Sequence, residues 1–251
     1  MQNGKKIYFA SDFHLGTPKD TKSGERERLL CTWLDEIKTD AEEIYLVGDI
    51  FDFWYEHKYT VPKGFVRILG KIAELTDSGI KIHFFTGNHD TWMKDYFPKE
   101  IGVSVFDEPI SRTFNGKNFY IGHGDGLGPG DYWYKFLKLI FRSKISQWLY
   151  SRIHPNLSFW IARGTSLKSR AATGHSDEIF EGAEKEWLYV FCKEYLANHK
   201  IDYFVFGHRH LPLELDIENK AIYINLGDWI RYNSYAVFDG NKLELRYYKK
   251  N

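Results

Sequence analysis

The chain has 251 residues, 43% of them hydrophobic and 27% charged, with basic and acidic side chains in equal number and a pI near 7.2. That composition suits a globular protein large enough for a full core, and the balanced charge argues against a general nucleic-acid binder. Cys31 and Cys192 lie too far apart for a disulfide framework or zinc pattern, Met1–Lys6 is too short and polar for a signal peptide, and no run approaches the roughly 20 apolar residues of a membrane span, so a reducing, cytoplasmic location is expected.

The predicted elements alternate. Ile7–Ala10 is a short apolar strand run ending on Asp12-Phe13-His14. Glu25–Ile37 carries Leu29, Leu30, Trp33, Leu34 and Ile37 at helical spacing. Ile44–Val47 runs into Gly48-Asp49. A second helix is expected over Phe65–Leu75, with Gly79 as a stop. Ile80–Thr86 ends on Gly87-Asn88-His89-Asp90, Phe119–Ile121 on Gly122-His123-Gly124-Asp125, and Tyr203–Phe206 on Gly207-His208-Arg209-His210. Asp177–Asn198, built on Ile179, Phe180, Trp187, Phe191 and Leu196, predicts a third helix. Leu213–Ile217, Ala221–Asn225, Ser234–Phe238 and Lys242–Tyr248 then read as strands, with Asp239-Gly240-Asn241 as a hairpin turn. The class is α/β.

Five strand signatures therefore end on polar blocks. Ligands at the carboxyl ends of several strands converge on one rim of a sheet, where open α/β folds place their chemistry. Carboxylate, imidazole and amide oxygen, without thiolate, form a donor set for Mn, Fe, Zn or Mg-like dications. Two such ions about 3.5–4 Å apart can clamp phosphoryl oxygens during an in-line displacement. A lone His at a strand end is usually just a satisfied polar residue; five blocks point to one centre.

The blocks D-x-H, G-D, G-N-H-D, G-H and G-H-x-H resemble those of the calcineurin-like metallophosphoesterases, from residue 12 to residue 210. The resemblance implies a four-layer α-β-β-α sandwich holding two divalent metal ions, Mn first, with Fe, Zn or Mg as alternatives. Asp12, His14 and His210 would hold one ion, Asn88, His123 and His208 the other, with Asp49 bridging. His89 would bind phosphate or protonate the leaving oxygen, and Asp90 would orient His89 by accepting its ring N–H.

Composition shifts after residue 131. Tyr132 to Arg170 carries Lys135, Lys138, Arg142, Lys144, Arg152, Arg163, Lys168 and Arg170, and no Asp or Glu. Trp133, Phe136, Leu137, Ile140 and Phe141 keep helical spacing, and Pro155 divides the run. A basic, aromatic amphipathic helix reads as a membrane-surface or lipid-facing element. The alternative is a helical hairpin packing its apolar face on the sheet.

Taken with Gly48-Asp49-Ile50-Phe51-Asp52-Phe53-Trp54, His123-Gly124-Asp125 and Leu226-Gly227-Asp228-Trp229, this insertion makes the chain resemble the UDP-2,3-diacylglucosamine pyrophosphatases of lipid A assembly. That resemblance implies hydrolysis of UDP-2,3-diacylglucosamine to UMP and 2,3-diacylglucosamine 1-phosphate. It implies a catalytic domain of residues 1–130 and 171–251 and a helical lid at 131–170, with its apolar face toward the cleft and basic groups at the mouth. A lipid-linked nucleotide-sugar substrate and peripheral contact with the cytoplasmic face of the inner membrane follow. Asp125, Trp133, Phe136, Phe141, Arg163, Ser166, Lys168 and Arg170 become candidate substrate contacts. His89 stands where well-characterised members have Arg. The other readings are a phosphatase or phosphodiesterase for a soluble or different lipid ester, a nuclease, and a non-catalytic scaffold; seven filled ligand positions oppose the last.

Overall fold

In chain order the elements are β1 (Lys6–Ala10), α1 (Ser23–Ile37), β2 (Ala41–Val47), α2 (Val66–Asp77), β3 (Lys81–Phe85), β4 (Ser104–Phe106), β5 (Ile110–Phe114), β6 (Lys117–Ile121), α3 (Tyr132–Arg142), α4 (Lys144–Ser151), α5 (155–161), α6 (Trp187–Leu196), β7 (Tyr203–Phe206), β8 (Pro212–Ile217), β9 (Ala221–Leu226), β10 (Ser234–Phe238) and β11 (Leu243–Tyr247). The computed structural model describes residues 1–2, 4–17, 22–128, 132–161, 164 and 179–249.

Strand periodicity builds the layers. In β1, Ile7 and Phe9 join a cluster with Phe119, Val205 and Ile224, whereas Tyr8 and Ala10 join one with Leu30, Trp33 and Ile68 from the helices. β2 repeats the division, with Tyr45 and Val47 on one side and Ile44 and Leu46 on the other. The first cluster lies between two sheets. One sheet has the order β11-β10-β1-β2-β3-β4 and the other β5-β6-β7-β9-β8. α1 and α2 cover the first sheet; α6, through Leu188 and Cys192, covers the second. The result is the expected helix–sheet–sheet–helix sandwich. Dense aromatics fill these layers: Phe9 stacks on Tyr45 at 5.1 Å and meets Phe119 of the other sheet at 6.0 Å.

The central strands are parallel: β1–β2–β3–β4 in the first sheet and β6–β7–β9 in the second. Their carboxyl ends therefore open on the same rim. Buried on both faces, such strands read as continuous apolar runs, which is why they were visible in the sequence. The C-terminal hairpin also forms as expected, with Asp239 Oδ1 accepting the N–H groups of Asn241 and Lys242.

Two expectations change. The helix expected over 177–198 is shorter in its described part: 179–182 is irregular, Ala183–Lys185 forms one 3₁₀ turn, and α6 begins only at Trp187. Gly182 at φ 106° breaks the backbone, and Ile179 and Phe180 are exposed, so they never belonged to a packing face. The short strands β4 and β5 were not anticipated; β5 has an exposed centre and no apolar alternation.

α3, α4 and α5 follow the His123 loop. They meet the body through Tyr55, whose hydroxyl donates to the Gln147 carbonyl (3.0 Å), and through Trp92, whose Nε1 donates to the Phe141 carbonyl (2.7 Å). Tyr150 packs on Tyr55 and Trp92, and Phe159 on Phe53. Much of the apolar surface stays open: Leu139, Ile145, Trp148, Leu149 and Trp160 are all more than half exposed. Further polar contacts of α3 come from Lys135, Lys138 and Arg142, which reach Gly128, Asp125 and Glu108. These three cations are thus used in docking α3, and the basic residues expected at a substrate mouth, Arg163, Lys168 and Arg170, lie outside the described residues. No helix among the described residues is long and apolar enough to cross a membrane.

Candidate metal centre

Asp12, Asp49, Asn88, His123 and His208 each lie just past a strand end, on β1, β2, β3, β6 and β7 respectively. The turns that carry them are strained. Asp12, His14, Asp49, His208 and His210 have φ of 55°, 44°, 52°, 69° and 52°, a left-handed region that costs a non-glycine residue of order 1–3 kcal/mol. Interlocked backbone holds it: Asp12 N–H donates to Gly48 O (3.1 Å), His14 N–H to Asp49 O (2.9 Å) and Leu15 N–H to Ile50 O (3.0 Å). Arg26, buried on α1, donates to the carbonyls of Phe13 (2.7 Å) and His14 (2.9 Å).

The side chains converge in three overlapping groups: Asp12, His14 and His210; His14, Asp49 and His89; and Asp49, His123 and His208. In the first, Nε2 of His14 and Nε2 of His210 are 3.1 Å apart, and each faces Asp12 Oδ1, at 3.6 and 3.3 Å. In the third, His123 Nε2 lies 3.4 Å from Asp49 Oδ2 and 3.2 Å from Asn88 Oδ1, which is also 2.9 Å from His208 Nδ1. Asp49 Oδ2 lies 3.8 Å from His14 Nε2 as well, so one carboxylate touches both sides of the cluster.

This arrangement fits cations. Asp12 Oδ1 is buried and takes no hydrogen bond from any described residue, a state that costs free energy unless another positive partner meets it. His123 Nδ1 lies 2.9 Å from the Val47 carbonyl, which holds a proton on that nitrogen and aims Nε2 into the cluster. His210 Nδ1 has Asp228 at 3.5 Å, and His14 Nδ1 has Asp52 at 3.5 Å.

The electrostatics follow from close packing of opposite charges. Burial opposes ionisation of Asp49, but His123 and His89 prevail and hold its carboxyl well below the usual range. Burial likewise disfavours charge on His123, yet the adjacent Asp49 raises it to about 10. His208 goes the other way: burial and then the charge of His123 push it down to about 4. Asp12, despite burial, is brought to about 2 by His210 and His14.

Asp90 does not do what its neighbour seemed to require. Its carboxylate accepts backbone N–H groups of Gly87 (2.8 Å), Ile50 (2.8 Å), Asp49 (3.3 Å) and Phe51 (3.3 Å), and burial followed by the charge of Asp49 lifts its pKa to about 7. With these four backbone donors on its carboxylate, Asp90 shapes the Asp49 turn. His89 is served by Asp52: Nδ1 lies 3.1 Å from the Asp52 carbonyl and 3.8 Å from its Oδ1, while the His89 N–H donates to Asp49 Oδ1 (2.9 Å). The His89 ring meets that of His14 edge-on at 4.9 Å.

Asp125, expected to contact substrate, is buried and paired with Lys138 at 2.6 Å. Phe136 and Phe141 are about half exposed, at 51% and 49%. The side chain of Trp133, and Arg163, Ser166, Lys168 and Arg170, lie outside the described residues. Sequence reasoning gave no role to Arg26, Asp52, Asp228 or Asn225. Asn225 Nδ2 donates to the Gly207 carbonyl (2.5 Å) and steadies the turn before His208. Its signal was a polar residue inside the apolar run of β9, since a buried amide requires a partner.

The calcineurin-like phosphoesterase family model matches residues 5–212. The chain belongs to the calcineurin-like phosphoesterase family. It is similar to a UDP-2,3-diacylglucosamine hydrolase of Porphyromonas gingivalis, 43% identical over 253 residues and covering 96% of each chain. Proteins of the same name from Vibrio vulnificus and Pseudomonas aeruginosa are 28% and 27% identical, over 95% and 94% of this chain and 96% and 95% of theirs. This phosphoesterase is accordingly a metal-dependent hydrolase, and its donor groups suit divalent ions.

Proposed function

We propose that the protein hydrolyses the diphosphate of UDP-2,3-diacylglucosamine, giving UMP and 2,3-diacylglucosamine 1-phosphate, with Mn(II) as its working metal. The observation that carries this reading is the adjacency of two ligand groups, joined through Asp49, to three helices whose large apolar side chains are exposed. Relatives bearing that substrate in their names, similar over nearly their full length, support it.

In this reading Asp12, His14 and His210 would hold one ion and Asn88, His123 and His208 the other, with Asp49 shared between them. Bound there, the two ions would neutralise the diphosphate and make a water more acidic. The chain's own residues do the rest. The Val47 carbonyl keeps Nε2 of His123 aimed at the centre. His89, beside Asp49 and held by Asp52, binds a phosphoryl oxygen or hands a proton to the departing one. Water adds to phosphorus, the P–O bond of the diphosphate bridge breaks, and both products leave as phosphomonoesters. Residues 131–170 would act as a lid, with Phe136 and Phe141 offered to the acyl chains; Trp133, Arg163, Ser166, Lys168 and Arg170 are the further substrate contacts this reading assigns from the sequence. Each acyl CH₂ taken from water contributes about 0.8 kcal/mol. In this reading the same surface would rest against the cytoplasmic face of the inner membrane.

Mass spectrometry of products from UDP-2,3-diacylglucosamine, with Mn(II) and after chelation, tests the reading. UMP and the lipid phosphate should form only with metal, and Asp49→Ala should lose metal and turnover together. Turnover of soluble esters alone, with this lipid untouched, would overturn the substrate assignment.

A further inference from the structure

Lys135, Lys138 and Arg142 follow one another at i, i+3 and i+7, a single stripe of α3. Lys135 Nζ donates to the Gly128 carbonyl at 2.6 Å, and Arg142 pairs with Glu108 and the Asp107 carbonyl. Glu108 is 71% exposed, so that end of the stripe lies in water, where an ion pair holds little. Lys138 differs. Its Nζ is 2.6 Å from Asp125 Oδ2, donates to the Asp125 carbonyl at 2.9 Å, and meets a carboxylate only 6% exposed.

Asp125 belongs to the loop that carries His123. Lys138 and Asp125 also line, with Thr86, Asp107 and Glu108, a cavity of about 20 Å³ beside His123. Among the described side chains of α3, Phe136, Leu139 and Ile140 are 51%, 71% and 40% exposed, and Phe141 meets Trp92 edge-on at 6.0 Å.

We propose that Lys138 is a positioning residue: by clamping Asp125 at both its carboxylate and its carbonyl, it fixes α3 and its exposed apolar side chains against the His123 side of the centre. A buried ion pair contributes more to one defined geometry than to stability, and two contacts from one ammonium set both the distance and the rotation of the helix. Selectivity for an acylated substrate then depends on Lys138, whereas hydrolysis of a small ester does not. This inference rests on the lipid-linked reading of the substrate.

The test uses the Mn(II)-loaded enzyme with Lys138→Met and Lys138→Arg. In Lys138→Met, deuterium uptake over 132–142 should rise about tenfold in rate, and Arg should restore protection. The KM for UDP-2,3-diacylglucosamine in detergent micelles should rise about tenfold with metal content unchanged, while kcat/KM for bis-p-nitrophenyl phosphate stays within about twofold. Should Lys138→Met fail to fold, Lys138→Gln is read in the same way. Unchanged uptake, or both activities falling in step with Tm, would overturn the clamp. If the wild-type enzyme left the lipid untouched, the substrate reading would fail, and the deuterium uptake would still judge Lys138.

Discussion

Asp49 occupies the space in which a side chain at Gly87 would begin. A β-carbon on Gly87 would overlap the Asp49 carboxylate, lying 2.8 Å from its Cγ and 2.6 Å from its backbone nitrogen. Gly207 stands in the same relation to Asp12, 2.5 Å from Oδ2, and Gly48 to His123, 2.6 Å from Cγ. Gly87 and Gly207 are not in the left-handed region, so these glycines supply room for a ligand and not a turn.

Gly87→Ala should therefore displace Asp49, because rotation of the carboxylate cannot relieve a clash with its own backbone nitrogen. Elemental analysis should show loss of metal, and kcat should fall by about 10²-fold or more, the effect of a misplacement near 1 Å. Gly70→Ala is the control: it sits in α2 with open space around it and should raise stability by about 0.8–1 kcal/mol. Full metal content in Gly87→Ala would contradict the packing argument.

His89→Ala should lower kcat by about 10²–10⁴ with both metals retained. Asp52→Asn should lower it by a smaller factor, about 10–100, as expected of a group acting through its neighbour. Asp90→Ala should behave differently, since it leaves several buried N–H groups without an acceptor, each costing about 1–3 kcal/mol. Its defect should appear first as a lower Tm. A His89-like kinetic loss at unchanged Tm in Asp90→Ala would restore the role that the geometry denies it.

Metal uptake should release a proton. With Asp49 beside it, His123 holds its proton up to about pH 10, whereas His208, lowered to about 4, is already neutral at pH 7. A cation at His123 must expel that proton, so affinity should climb about tenfold per pH unit through neutrality. Calorimetry in buffers of different ionisation enthalpy should report about one proton for this group of ligands. A count of zero at pH 7 would mean that His123 is not the protonated partner.

Glu43 on β2 contributes to acid stability. Burial favours its neutral form, but the His83 ring nitrogen (3.1 Å) and the Tyr45 hydroxyl (2.7 Å) prevail and lower its pKa from 4.5 to about 2. A depressed carboxyl contributes stability that is complete above 4.5 and disappears as pH falls toward about 2. Glu43→Gln should cost about 1 kcal/mol at neutral pH, and its difference from wild type should close toward the acid end. Denaturant unfolding across that range measures it; a constant difference would exonerate the charge.

The parts of the centre legible in the sequence were those where one residue type has one explanation. An apolar run such as Tyr203–Phe206 that stops on Gly207-His208 states both a buried strand and a polar rim. The partners of those ligands were not legible, because they come from distant places: Arg26 from a helix, Asp52 from a turn and Asn225 from a neighbouring strand. Asp90 misled because adjacency to His89 suggested contact, while successive residues in a tight turn point apart. β5 escaped because its Ser111, Arg112 and Thr113 are exposed and carry no core signal. The insertion was legible as helical, amphipathic and basic, but no periodicity could say that Lys138 would be used on Asp125.

Neither half of the sandwich owns a complete set of ligands. Asp12, His14, Asp49 and Asn88 leave the first sheet, while His123, His208 and His210 leave the second, and each ion's proposed set takes members from both. A cation in either position would work as a rivet through the seam, adding about 2.7 kcal/mol when its free concentration is a hundred times its dissociation constant. Chelators should thus loosen the joint between the sheets as well as stop turnover, and a fragment carrying only one sheet could never be partly active. Catalytic competence in this protein is a report that its two sheets have closed on each other.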